Sequence, residues 1–150
     1  MEIAIAVNSI KKDQMFFDIK NQSLKHDIVV YTNKECYLNK NFGFSILTYY
    51  DIWNSNAKYH IATCLNSASH LLLSPKIKDF YFYIWDLEWH RKLFDYEEIK
   101  KIYCNKKIKL VAKSNDHAKI IYDAWNIMPT ISKNFDINQI VETNNEKINI

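Results

Sequence analysis

The sequence predicts an α/β domain in which one mostly parallel sheet of about five or six strands lies between layers of helices. Three observations carry that reading. Short β-rich apolar runs alternate with longer segments of helical period, as successive βαβ units require. The first run, residues 3–7 (IAIAV), is apolar at every position, which fits a strand covered on both faces. The length of 150 residues is that of one domain, long enough to bury about two-thirds of the surface its unfolded chain exposes.

After that first strand, residues 12–25 place Phe16, Ile19 and Leu24 at three- and five-residue intervals, with Met15 beside Phe16 and Asp13 positioned to cap a helix. Residues 27–32 (DIVVYT) and 44–49 (FSILTY) read as the second and third strands, and Gly43 supplies a turn ahead of the third. Between 57 and 73, Ile61, Cys64, Leu65, Ala68, Leu71 and Leu72 share one helical face, and Pro75 closes the segment; the spacing predicts one long helix carrying His60 and His70. The aromatic run 80–85 (FYFYIW) is the fourth strand. A helix over 96–104 turns Ile99, Ile102 and Tyr103 inward, 108–112 forms the fifth strand, and Ser114 and Asn115 cap a helix over 116–125. An extended stretch at 130–132 and a short helix at 137–141 complete a Rossmann-like three-layer domain over residues 1–142. Residues 143–150 form a polar tail.

Composition removes several functions. With Gly43 as its single glycine, the chain has no GxGxxG turn, no P-loop and no GxSxG elbow. The net charge is +3, but the basic residues, all lysine except Arg91, are scattered among acids and form no nucleic-acid stripe. Cys36, Cys64 and Cys104 are odd in number and far apart, so reduced, buried thiols are expected rather than disulfides or a zinc site. The opening MEIAIAVNS has no basic flank and only a short apolar run, so the expected setting is cytoplasmic, with no membrane contact.

Ligands of an open parallel sheet bind beyond the carboxyl ends of its strands. The polar residues expected there are Asn8, Ser9 and Lys11 after the first strand, Asn33 and Lys34 after the second, Asp51 after the third, and Lys113 and Ser114 after the fifth. The richest segment is Trp85-Asp86-Leu87-Glu88-Trp89-His90-Arg91, after the fourth. If it stays extended, Asp86, Glu88 and His90 project to one side, where two carboxylates beside an imidazole provide a general base with an orienting partner. The same trio has ligand types for a divalent metal, but no second cluster supports one, and no metal is expected. His26, His60, His70 and His117 read as packed or surface residues. Tyr49, Tyr50, Trp53 and Tyr59 are candidates for an exposed interface.

The order of EIAIAV, FYFYIWDLEWH, IKLVAKSNDHAKIIYDAWN and PTISKNFDINQI resembles the N-terminal, acceptor-side half of the GT-B glycosyltransferases. Leu110 to Ser114 and Asn134-Phe135-Asp136 match that family's layout of a strand ending in serine, a helix, and a short strand leading to Asn-Phe. The resemblance implies a catalytic Asp86 or His90 that deprotonates an acceptor hydroxyl, and Glu88, on the same side of the extended segment, completes the candidate catalytic group. The strand-end residues Asn8, Ser9, Lys11, Lys113 and Ser114 are then the expected substrate contacts. The resemblance also implies a nucleotide sugar as co-substrate rather than a tightly bound cofactor, and a small-molecule or glycan ligand. The donor-binding half of that design would come from a partner chain or a homo-oligomer. The family's glycine-rich loop is replaced here by Asn8-Ser9-Ile10-Lys11. The alternative from the same residues is a non-catalytic Rossmann-like module that binds a ligand or another protein.

Overall fold

The computed structural model describes residues 2–34, 42–91 and 95–142. Their elements run β1 (Glu2–Val7), α1 (Gln14–Ser23), β2 (Asp27–Thr32), β3 (Ser45–Thr48), β4 (Tyr59–Ala62), α2 (Leu65–Leu72), β5 (Phe80–Ile84), α3 (Tyr96–Tyr103), β6 (Ile108–Ala112), α4 (Asn115–Trp125), β7 (Thr130–Ile131) and α5 (Ile137–Glu142). All seven strands pair in parallel, in the order β3-β2-β1-β4-β5-β6-β7. The α/β class and Rossmann-like layering expected from the sequence are therefore present. The tail 143–150 and Cys36 lie outside the described residues.

Each central strand is buried because helices cover both of its faces. Ile3, Ile5 and Val7 turn to one side, where Ile19 of α1 and Ile137 and Ile140 of α5 meet them. Ala4 and Ala6 turn to the other, against Leu65, Ala68 and Leu71 of α2 in a cluster that continues to Ile99 and Ile102 of α3 and Ala118 and Ile121 of α4. The alternation of isoleucine and alanine in β1 matches this geometry: the small side chains of Ala4 and Ala6 leave room for Leu65 and Leu71 of α2. Strand β5 sends Phe80 and Phe82 into the second cluster and Tyr81 and Tyr83 into the first, and all four are almost fully buried.

The seventh strand corrects the sequence reading. Residues 57–73 are not one helix: Tyr59–Ala62 pairs with β1 in the register Ala4↔His60 and Ile5↔Ile61, and only Leu65–Leu72 is helical. His60 is thus a strand residue. The break lies at Thr63 and Cys64, where Ser67 does the work of a capping box. Its hydroxyl accepts from the backbone N–H of both Thr63 and Cys64 at 3.0 Å and donates to the Cys64 carbonyl at 2.9 Å. Ser67 is fully buried. Ser67→Ala is expected to cost about 1–3 kcal/mol, because it leaves two N–H groups without this acceptor. Urea unfolding of the two proteins measures the difference, and a change below the lower figure would show that water replaces the hydroxyl.

Two further expectations change. Cys104 is exposed rather than buried, and Cys64 is partly so. Of the four aromatics proposed for an interface, only Tyr50 is well exposed. Tyr49 is buried, and its ring and that of Trp53 stack on His70 at 4.2 and 5.2 Å. The Trp53 indole N–H donates to the His70 carbonyl at 3.1 Å, so these rings fasten the turn at 49–54 to α2.

Candidate functional site

Strand β1 sits where the sheet changes direction: the chain moves to β2 on one side, then returns to lay β4 on the other. Helix α1 leaves toward one face and α2 toward the opposite face, so the loops after β1 and β4 part and open a crevice at the carboxyl edge. This crevice holds about 680 Å³ of free space, solvent included, and its wall comes from three loops. The loop after β1 gives Asn8, Ser9, Lys11 and Asp13; the end of β4 gives Thr63 and Cys64; the segment after β5 gives Trp85, Asp86, Glu88 and Arg91.

Local hydrogen bonds hold these loops in place. The Thr63 hydroxyl donates to the Ala6 carbonyl at 2.9 Å and locks the end of β4 to β1. The Asn8 side-chain oxygen lies 3.4 Å from the Asn33 amide nitrogen and 3.5 Å from that of Asn66, drawing together the ends of three elements. Asp13 caps α1 by accepting from the Phe16 N–H at 3.0 Å. Asp86 takes a 2.8 Å ion pair from Arg91, with both side chains about half exposed. Such a pair adds about 1 kcal/mol at most and chiefly fixes the orientation of Arg91.

Glu88 is the best-placed acid. Its Oε1 accepts from the Leu65 N–H at 2.8 Å, the first free donor of α2, which the helix dipole makes favourable for a negative group. Its other carboxyl oxygen takes no hydrogen bond from the described residues. Burial raises the Glu88 pKa, assisted by Asp86, while the Leu65 N–H and Arg91 pull it down without cancelling the rise. A carboxyl with one oxygen anchored and the other open to a crevice is suited to accept a proton or hold a hydroxyl.

A thiol at a helix start often ionises readily, but Cys64 does not follow that pattern. Burial is the largest influence and lifts its pKa, outweighing the hydrogen bonds from Ser67. The sulfur accepts the Ser67 N–H at 3.4 Å, and its S–H lies 3.4 Å from the Ser67 hydroxyl oxygen. Cys64 serves as the cap of α2, and burial disfavours its thiolate.

Asn8, Ser9, Lys11, Asp86 and Glu88, all singled out in the sequence, therefore share one crevice. His90 does not join them. The segment 88–91 coils into a 3₁₀ turn, which ends the strand-like alternation, and the exposed His90 ring stacks on Trp89 at 5.4 Å. Lys113 and Ser114 stand beside the crevice rather than in its wall: Lys113 Nζ donates to the Trp85 carbonyl at 3.1 Å, and Ser114 caps α4 through the His117 N–H at 3.2 Å. Thr63 and Cys64 are not among the site residues the sequence suggests, because the helical period over 57–73 conceals the end of β4 that places them. The spacing of Cys64 and Ser67, three residues apart ahead of an apolar run, was the signal for a helix start there. Among the described residues, no group of three or more His, Cys, Asp or Glu side chains is arranged to hold a metal ion. No helix among them is long and apolar enough to cross a membrane.

No family model, no curated protein and no solved structure matches the chain.

Proposed function

We propose that this domain binds a small polar ligand in the crevice between the ends of β1 and β4, and that Glu88 holds or deprotonates a hydroxyl of that ligand. The observation that supports this reading most directly is the Glu88 carboxylate, one oxygen fixed on the Leu65 N–H and the other with no hydrogen bond from the described residues, inside a crevice at the reversal of strand order. Glycosyl transfer is the second reading. What favours it is the raised Glu88 pKa, which suits a base acting on an acceptor hydroxyl, and in this form Glu88 replaces Asp86 and His90 in the leading role. A nucleotide sugar would then be the co-substrate, and a partner chain or second copy would complete the donor side.

The test is a screen of sugars, polyols, amino compounds and nucleotide sugars by amide chemical shifts. A true ligand is expected to move the signals of Ser9, Thr63 and Leu65 together, and Glu88→Gln is expected to weaken it about tenfold or more, as loss of a charged hydrogen-bond partner does. Compounds that shift only amides away from these three would defeat the assignment. Hydrolysis or transfer of a nucleotide sugar that survives Glu88→Gln unchanged would remove the catalytic reading.

The same variant has a stability signature. Because the folded pKa of Glu88 is raised, the wild-type carboxyl favours the fold when protonated and loses that contribution as pH rises through its folded pKa. Glu88→Gln keeps an oxygen for Leu65 and carries no charge. It is expected to raise Tm at neutral pH, the gap to wild type closing as pH falls into the ordinary carboxylate range. An unchanged gap across that range would mean that Glu88 is not held in its buried position.

A further inference from the structure

We infer that the crevice takes a ligand whose inserted end is a neutral hydroxyl or a protonated amine, and that it turns phosphate away. This rests on the reading of the crevice as a ligand site and specifies what that site accepts. In nucleotide-binding sheets of this topology, a phosphate satisfies the free N–H groups where a helix begins, and glycines let the backbone come close to it. Here each of the two helices that border the crevice has one of those N–H groups taken by a carboxylate of the chain itself. Asp13 sits on the Phe16 N–H of α1 at 3.0 Å, and Glu88 sits on the Leu65 N–H of α2 at 2.8 Å. The loop after β1 contains no glycine.

The charges of the wall point the same way. Among the described residues of the wall, three carboxylates, Asp13, Asp86 and Glu88, face two cations, Lys11 and Arg91. Arg91 is committed to Asp86 at 2.8 Å. The neighbouring Lys113 ammonium is directed at the Trp85 carbonyl and lies 5.6 Å from the centre of that ring. A phosphate entering the crevice would have to displace Glu88 or lie beside it, in a partly enclosed space where repulsion between like charges is poorly screened. A hydroxyl or ammonium group finds the reverse: the open oxygen of Glu88 accepts its hydrogen.

The local potential can be measured without knowing the ligand, by comparing how strongly a cationic and an anionic nitroxide relax the amide protons of Ser9, Cys64 and Asn66 in the full chain. The cationic probe is expected to be the stronger by about twofold or more at these positions, although the whole protein is positively charged. On the lysine-bearing face of α3, at Lys100 and Lys101, the order is expected to reverse. Glu88→Gln should bring the crevice ratio toward one; if that variant fails to fold, the wild-type ratio alone decides. Inorganic phosphate at millimolar concentration should leave the Phe16 and Leu65 amide signals of the wild type in place. A stronger anionic probe in the crevice, or saturable movement of those two signals with phosphate, overturns the inference. Either result leaves the ligand screen above to decide separately whether the crevice binds anything.

Discussion

Phe135→Ala is expected to destabilise the fold by about 3–5 kcal/mol, the cost of emptying a large aromatic site in a packed core. Phe135 is fully buried on the α1 and α5 side of the sheet, its ring edge-on to Tyr83 with centroids 4.8 Å apart. For a domain of this length the loss corresponds to a fall in Tm on the order of 10 °C. The backbone adds a second, sharper expectation. Phe135 has φ 55°, in the left-handed region that disfavours any residue with a Cβ, and Asn134 before it has φ 53°. At an ordinary position glycine is less stable than alanine by about 0.5–1 kcal/mol. Here the order should invert, with Phe135→Gly more stable than Phe135→Ala, since glycine relieves the strain that alanine retains. Parallel denaturation curves decide it, and an alanine variant that is the more stable of the two would show that the turn is not held at positive φ.

What holds this turn is the Tyr83 hydroxyl. It donates to the Ser132 carbonyl at 3.2 Å and accepts from the Phe135 N–H at 3.4 Å, tying the last segment to the centre of the sheet. The sequence has an aromatic strand at 80–85 and a separate Asn-Phe-Asp, but nothing in their spacing links positions 52 residues apart. That difference separates what was legible from what was not. Asp13 and Ser114 cap the helices they precede in the sequence, because capping is a local contact over three residues. The unbroken apolar run of β1 and the aromatic run of β5 announce their burial, since only strands covered on both faces can be apolar throughout. Strand β4 was hidden for the opposite reason. Its four residues adjoin a real helix, Ile61, Leu65, Ala68 and Leu72 also satisfy a helical period, and only pairing with β1 distinguishes the two.

The crevice divides in the same way. Its polar loop-starts after β1 and β5 could be read from strand ends alone. The role of Glu88 depends on reaching across to Leu65, 23 residues earlier, and α2 begins there only because β4 ends at Ala62. Extended-chain alternation groups His90 with Asp86 and Glu88, and the 3₁₀ turn at 88–91 cancels it. Shared register, rather than composition, decides which acids can work together.

Acidification below about pH 6.5 is expected to weaken the fold before most carboxylates titrate, because burial lowers the pKa of three histidines. Burial is the largest cause of the lowered pKa of His60, opposed by Asp79; of His117, where Lys113 adds to it and Asp86 opposes it; and of His70, whose Nε2 meets the Tyr49 carbonyl at 3.1 Å. Among the described residues, His60 Nε2 and His117 Nδ1 are buried without a hydrogen-bond partner, so only the charges of Asp79 and Asp86, and no hydrogen bond, favour a proton at these atoms. For a base whose folded pKa is depressed, stability is complete above the unfolded value and drains away as pH falls through the unfolded pKa toward the folded one. Each histidine that resists protonation gives a limiting slope of about 1.4 kcal/mol per pH unit, reduced to the extent that water reaches the ring and screens it. Glu88 acts in the opposite sense, since protonation relieves its buried charge, so Glu88→Gln should make the acid loss steeper relative to neutral pH. Urea unfolding from about pH 7.5 down to pH 5 measures both, with His60→Leu and His117→Leu each expected to flatten the curve. A stability that holds level through that range in the wild type would mean that these rings take up protons as freely in the folded chain as in the unfolded one.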